Sequence, residues 1–359
     1  MKYNIGVSKA EKSRVGEVNI NEVPMGTQFS DHMFICDYKN EEWVNPRIEP
    51  LAPIATHPSA MALHYGQAIF EGLKATLGAD GIPVLFRPDQ NAERLNISAE
   101  RMAMPHFPED LFVEALKTFV SIERQWVPDA IGSALYLRPF MYADEAYTGM
   151  RAATSYKFII FATPARPFFS KRIRLYAETK YIRAANGGTG EAKAAGNYAA
   201  AIRPTEIAKA NGYDQVLWLD AHNFENILEV GTMNIFFKIK GKFITPSLDG
   251  SVLAGITRSS VIELLRSKGF SVTERTVSML EIIEAYDKGT LEEAFGTGTA
   301  VGIAMIDEIG YQDRIIKLPA ENPVTTDVND TLAKMKRGLA EDPFGWILPV
   351  MKNTVISAN

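Results

Sequence analysis

A mixed α/β architecture in two lobes is predicted for this chain by three observations. Its 359 residues exceed what one core ordinarily organises. A hydrophobic content of 46% with 23% charged residues belongs to a soluble globular protein. Strand-like and helix-period runs alternate on both sides of a proline-marked connector, Thr163-Pro164-Ala165-Arg166-Pro167-Phe168-Phe169-Ser170. The expected division is a small N-terminal α/β domain over 1–164, an interdomain loop over 165–172 and a large C-terminal α/β domain over 173–359. Ligands favour the cleft between two such lobes, so the active site is expected at the domain interface.

Taken in order, residues 31–38 read as an early strand and 84–86 as a short one ended by Arg87-Pro88. Helical apolar spacing runs over 91–102 and is broken by Pro105. Asp110 stands as an N-cap for a helix over 111–126, and strands follow at 133–142 and 155–162. Past the connector, 194–209 is an alanine-rich helix ending at Asn211-Gly212. Residues 215–220 form a buried strand, and 234–245 a hairpin turning at Lys240-Gly241. A helix over 258–268 is closed by Gly269, and 271–277 is a strand.

Composition excludes several classes. A net charge of −5 without a lysine-arginine cluster argues against a nucleic-acid surface. Cys36 is the only cysteine, so neither an intrachain disulfide nor a cysteine-based zinc site is possible, and no metal is expected. The N-terminus has no apolar core of signal-peptide length, and no segment approaches the ~20 apolar residues of a membrane span. A cytoplasmic location is expected.

The chemistry centres on Lys193, in Gly187-Gly188-Thr189-Gly190-Glu191-Ala192-Lys193-Ala194-Ala195-Gly196-Asn197-Tyr198. A frame of small residues lets a planar ligand reach the amine, and a partly desolvated amine attacks carbonyls. A phosphate loop would need glycine before the lysine and Ser or Thr after it, where this chain has Ala192 and Ala194. A solvated lysine at a helix start is the plainer reading of any lone lysine; its neighbours overturn it. Tyr198 can present a phenol to a ring joined to the lysine, or serve as a core tyrosine. Glu229 is a carboxylate within an apolar run, costly unless it meets a cationic partner such as a protonated pyridine nitrogen, although a strand-edge glutamate would look the same. Gly255-Ile256-Thr257 leads into a helix, and Gly296-Thr297-Gly298-Thr299-Ala300 is a strand-to-turn passage; both offer donors to a phosphate. Val301 stands where a dinucleotide loop would need its third glycine. An amine, a phenol, an acid and two phosphate cradles together match pyridoxal phosphate.

With these parts in place the chain resembles fold-type IV, class IV aminotransferases, and closely the branched-chain amino acid aminotransferases. The resemblance runs from Phe29-Ser30-Asp31-His32-Met33 to about Pro319. It is densest at Leu63-His64-Tyr65-Gly66-Gln67-Ala68-Ile69-Phe70-Glu71-Gly72-Leu73-Lys74, Leu135-Tyr136-Leu137-Arg138-Pro139, Lys193 to Tyr198, Glu229 to Asn234, Gly255 to Arg258 and Gly298-Thr299-Ala300. It implies that Lys193 is the Schiff-base lysine and the proton-moving base. Glu229 pairs with the pyridine nitrogen and Tyr198 with the phenolic oxygen, while Arg94, Ile256, Thr257 and Thr299 hold the phosphate. It implies aromatic walls from Tyr65, Phe70 and Tyr136, a carboxylate-binding Arg138, and an α-carboxylate site at Thr232 and Ala300. A homodimer follows, with Met150 reaching the partner's pocket. The substrates implied are leucine, isoleucine, valine, glutamate and their 2-oxo acids. Enzymes of the same fold acting on D-amino acids or on aminodeoxychorismate are the alternatives, and a cofactor-storing binding protein is the non-enzymatic one. Two departures stand out. Val301 and Ala304 occupy the positions of a redox CxxC in mammalian relatives, and Met25 replaces a pocket phenylalanine.

Overall fold

The computed structural model describes residues 3–166 and 171–351. Positions 167–170 of the expected interdomain loop lie outside the described residues. The chain divides into two compact units, Met1–Phe168 with Ala333–Asn359, and Phe169–Leu332. The expected C-terminal domain over 173–359 is thereby corrected at its end. Strand Ile347–Pro349 pairs antiparallel with Pro83–Phe86, and Val350 N–H donates to Pro83 O at 2.8 Å, which ties the tail to the first unit.

The first unit is built on a nine-stranded sheet. Its centre is the long antiparallel pair Ala134–Ala143 and Tyr156–Ala165, flanked by His32–Lys39 on one side and Leu73–Leu77 on the other. The short strand Ala68–Phe70 also pairs with Ala134–Ala143. Alternation along that long strand sends Leu135, Leu137 and Met141 into the main core against helices Pro88–Arg101 and Glu109–Ile122, and turns Tyr136, Arg138 and Phe140 to the other face. The strand ends at Phe86 as expected, and Pro88 also opens the next helix, since proline's fixed φ suits the first helical position. Asp110 is not the N-cap expected of it. Pro108 holds that position, and Asp110 accepts from Leu111 N–H at 2.9 Å and from the Tyr3 hydroxyl at 2.6 Å. That helix also stops at Ile122, followed by a separate 3-10 turn, Arg124–Trp126.

In the second unit six strands form a closed ring of hydrogen-bonded neighbours: Ile227–Val230, Gln215–Leu219, Ile173–Ala177, Gly302–Tyr311, Leu291–Gly298 and Met233–Ile239, the last pairing back to the first. Leu217, Val230, Met233 and Ile235 fill the interior. Their register neighbours Trp218, Glu229, Asn234 and Thr297 form one row on the outside. Lys242–Thr245 continues the sheet from a tight turn with Lys240 at φ 49° and Gly241 at φ 74°, the hairpin expected from Lys-Gly. The alanine-rich helix Ala195–Ala210 packs Ala208 on Val216 and Trp218 of the outer face, beside that row. The strand expected over 271–277 is confined to Val272–Glu274.

Candidate active site

Lys193 sits at the mouth of the helix Ala195–Ala210, half-buried between the buried methyls of Ala192 and Ala194. Asn197 fixes the loop before it. Its amide donates to Thr189 O at 2.7 Å and Ala192 O at 2.9 Å, and its Oδ1 accepts from the Thr189 hydroxyl at 2.7 Å. The lysine Nζ then donates to Tyr198 Oη at 2.9 Å. The amine and the phenol expected to act together are in contact.

Glu229 is 3% exposed in the outer row of the ring. Asn234 Nδ2 donates to its Oε1 at 3.0 Å and Leu253 N–H at 2.9 Å, while Arg183 Nε lies 2.9 Å from Oε2. Burial pushes this carboxyl above the usual range; the Arg183 guanidinium, the Leu253 N–H and the charge of Lys193 pull it back. A carboxylate offers about four acceptor positions. Two are filled here, both on Oε1, while Oε2 carries the Arg183 ion pair and keeps acceptor capacity for an N–H donor. A protonated pyridine nitrogen fits there.

Asn234 also donates to Leu253 O at 2.9 Å, joining Glu229 to the segment that enters helix Ile256–Ser267. Gly255 is required there, because a Cβ at that position would stand 1.9 Å from Asn234 Oδ1. The helix start carries no side-chain cap, so its first N–H groups are donors awaiting an acceptor, with Ile256 and Thr257 buried beside them. Thr297, across from Asn234, has a buried hydroxyl without a hydrogen-bond partner. Thr299 and Ala300 form the turn that follows, and the backbone of Thr232 lies against Gly298. The second unit therefore carries the Lys193–Tyr198 pair, the Glu229–Asn234–Leu253 network leading to Ile256 and Thr257, and the turn at Thr299 and Ala300 near Thr232. Its donor set fits a phosphorylated pyridine.

The remaining predicted residues belong to the first unit. The Arg138 guanidinium lies 4.6 Å from the Phe70 ring centroid and 5.4 Å from that of Tyr136, and donates to Tyr136 Oη at 3.1 Å. Its Nε is buried without a hydrogen bond, so a half-buried cation keeps a donor for an incoming anion. Tyr65 is 42% exposed and donates its hydroxyl to Thr148 O, which ties it to a neighbouring loop and not to this cluster. Arg94 is buried and paired with Glu71, Nε to Oε1 at 2.8 Å and a terminal nitrogen to Oε2 at 2.7 Å. One edge of its fork is thus committed to orientation.

Gly72 is the close approach that makes this cluster possible. A Cβ there would lie 2.0 Å from Tyr136 Oη. Gly72→Ala therefore has to displace the phenol and deprive Arg138 of its acceptor. The expected result is a KM for glutamate raised about tenfold, with a smaller rise for leucine, and a stability loss of about 1–3 kcal/mol from overpacking. Steady-state kinetics and a thermal melt check it; equal and unchanged KM values would contradict the role given to Tyr136.

Four residues of these networks escape sequence reasoning as actors: Arg183, Asn197, Asn234 and Glu71. Three stand inside conspicuous runs, where a polar residue among small or apolar ones is the available signal. Arg183 has no local signal at all.

The donors around Lys193 suit a phosphorylated ring, and comparison with known proteins gives the family. Residues 68–309 match the family described as amino-transferase class IV. The chain belongs to the class IV aminotransferases, which are pyridoxal-phosphate enzymes. It is 43% identical over 336 residues to branched-chain-amino-acid aminotransferase 2 of Bacillus subtilis (strain 168), covering 92% of this chain and 93% of the relative. Branched-chain-amino-acid transaminase 1 of the same organism is 45% identical over 332 residues, with 90% and 93% covered. The solved branched-chain amino acid aminotransferase of Escherichia coli superposes with a TM-score of 0.74 at 25% identity, over 89% of this chain and 99% of that one. The corresponding enzyme of Thermobaculum terrenum in its PLP form gives 0.72 at 25% identity, over 89% and 98%.

Proposed function

We propose that this chain is a branched-chain-amino-acid transaminase, exchanging an amino group between leucine, isoleucine or valine and 2-oxoglutarate. The observation that carries the reading is the Lys193–Tyr198 contact together with the buried carboxyl of Glu229, which feels the charge of Lys193. When bound, pyridoxal phosphate supplies an aldehyde for amine exchange and a ring that accepts electrons. Glu229 Oε2 would hold the pyridine nitrogen protonated, with Arg183 favouring the ionised carboxylate against the effect of burial. Tyr198 Oη holds the phenolic oxygen. The Lys193 Nζ takes and returns the substrate's Cα proton, from a position set by its hydrogen bond to Tyr198. The N–H groups at Ile256 and Thr257 and the Thr299 hydroxyl would take the phosphate. Thr232 and the backbone at Ala300 receive the substrate α-carboxylate.

The substrate assignment rests on the Phe70–Tyr136–Arg138 cluster and on the names of the relatives. Aromatic faces suit an aliphatic side chain, while the spare donor of Arg138 suits the γ-carboxylate of glutamate. A homodimer is part of the proposal. Met150 is 94% exposed beside Tyr147, itself 40% exposed, and a large apolar side chain so placed is suited to a partner surface. Among the described residues no helix is long and apolar enough to cross a membrane.

L-Leucine against D-alanine as amino donor tests the substrate class. The expected kcat/KM ratio favours L-leucine by about 100-fold or more, the scale on which a shaped pocket discriminates. A preference for D-alanine would move the chain to the D-amino acid branch of the fold.

A further inference from the structure

Asn234 fastens together two parts of the site that lie on different elements. In the strand register it stands between Glu229 and Thr297, so its side chain emerges in the same outer row, 5% exposed. Its Nδ2 donates at 3.0 Å to Glu229 Oε1 and at 2.9 Å to Leu253 O, while Leu253 N–H donates at 2.9 Å to the same Oε1. The Leu253 carbonyl can only accept, which fixes the amide nitrogen on that side. Three hydrogen bonds thus close a loop in which both main-chain polar groups of Leu253 answer to Glu229 and Asn234. Gly255, the N-cap of helix Ile256–Ser267, follows two residues later. The amide abuts it as well, because a Cβ on Gly255 would stand 1.9 Å from Asn234 Oδ1.

In pyridoxal phosphate a rigid ring and a short methylene–oxygen link join the ring nitrogen to the phosphate, so the separation of the two is nearly constant. Two anchors reinforce one another only where their spacing matches that of the ligand; each then raises the effective concentration seen by the other. We infer, on the cofactor reading proposed above, that Asn234 is a positioning residue. It sets the spacing between the Glu229 carboxylate and the N–H groups that open the helix at Ile256 and Thr257. Its amide acts through Glu229 on one side and through Leu253 and Gly255 on the other. Without it the carboxylate and the helix start each remain, but the distance between them is no longer held.

The test titrates the full-length protein, stripped of cofactor, with three probes: pyridoxal phosphate and pyridoxal followed by visible absorbance, and inorganic phosphate followed by phosphorus NMR. In Asn234→Ala the Kd for pyridoxal phosphate is expected to rise about 30-fold. Pyridoxal and inorganic phosphate each lack one of the two anchors, and their Kd values are expected to change by less than about threefold. A general loosening of the fold would weaken all three alike. Gly255→Ala, whose methyl group displaces the same amide, is expected to weaken pyridoxal phosphate by a similar factor. In the Asn234→Ala background that obstruction is gone, leaving Arg258 Cβ at 3.2 Å as the next atom met. Gly255→Ala is expected to add less than about a twofold loss there. An unchanged Kd for pyridoxal phosphate in Asn234→Ala, equal losses for the three probes, or effects of the two substitutions that multiply would each overturn the positioning role. A parent protein whose absorbance does not respond to pyridoxal phosphate would instead overturn the cofactor reading, and this role with it.

Discussion

Lys193→Ala is expected to abolish transamination, by about 10⁴-fold or more in kcat, and to remove the visible absorbance of the cofactor-loaded protein. The magnitude follows from losing a covalent attachment and a positioned proton carrier in one substitution. Tyr198 Oη accepts a hydrogen bond from the lysine Nζ and supplies no amine to replace it. The fold should survive, because the loop is held by Asn197 through Thr189 and Ala192 and not by the lysine side chain. A melt within a few degrees of the parent, alongside lost absorbance, separates chemistry from collapse. An unchanged visible spectrum would count against Lys193 and equally against the wider reading.

Much of this site was legible because its residues break local rules. A carboxylate within Ile227-Leu228-Glu229-Val230 contradicts the apolar pattern around it, and a lysine among alanines and glycines lacks the bulk that ordinarily flanks a helix start. Those conflicts need only neighbouring residues to be seen. Arg183 was not legible. Its role exists only because the fold brings Glu229 and Ser251 to it, and a charged residue at a loop carries no trace of that partner. The same distinction separates the elements found from those missed. The hairpin at Lys240-Gly241 is written in a dipeptide with both residues at positive φ. The closed ring depends on Ile227–Val230 pairing with strands on both sides, and the return of the tail depends on Ile347–Pro349 finding Pro83–Phe86 across the whole chain. Non-local pairings of this kind leave no local periodicity to read.

The second large effect is expected at Glu229. Glu229→Gln should keep most of the cofactor yet lose about 10²–10³-fold in kcat, the scale for removing one preorganised charge from a water-excluded site. The amide preserves the shape and an acceptor oxygen for Leu253 N–H and Asn234. It cannot hold a ring nitrogen protonated, so the electron-accepting capacity of the ring falls while its binding contacts remain. The change also leaves Arg183 buried without its anion, and breaking a buried pair costs about 3–5 kcal/mol. Stability and rate must therefore be measured separately, which the pH dependence permits. The folded apo-protein holds the Glu229 carboxyl above its unfolded value, chiefly through burial. The stability tied to that protonation is present below about pH 4.3 and is lost as pH rises through the raised folded value. Glutamine has no such loss, so the apo wild type should give up Tm relative to the variant as pH rises through that window. The penalty from unpaired Arg183 stays constant with pH. A kcat for Glu229→Gln within a few fold of the parent would mean that the ring nitrogen is protonated by another group, and the assignment of the outer-row carboxylate would fall while that of Lys193 could stand.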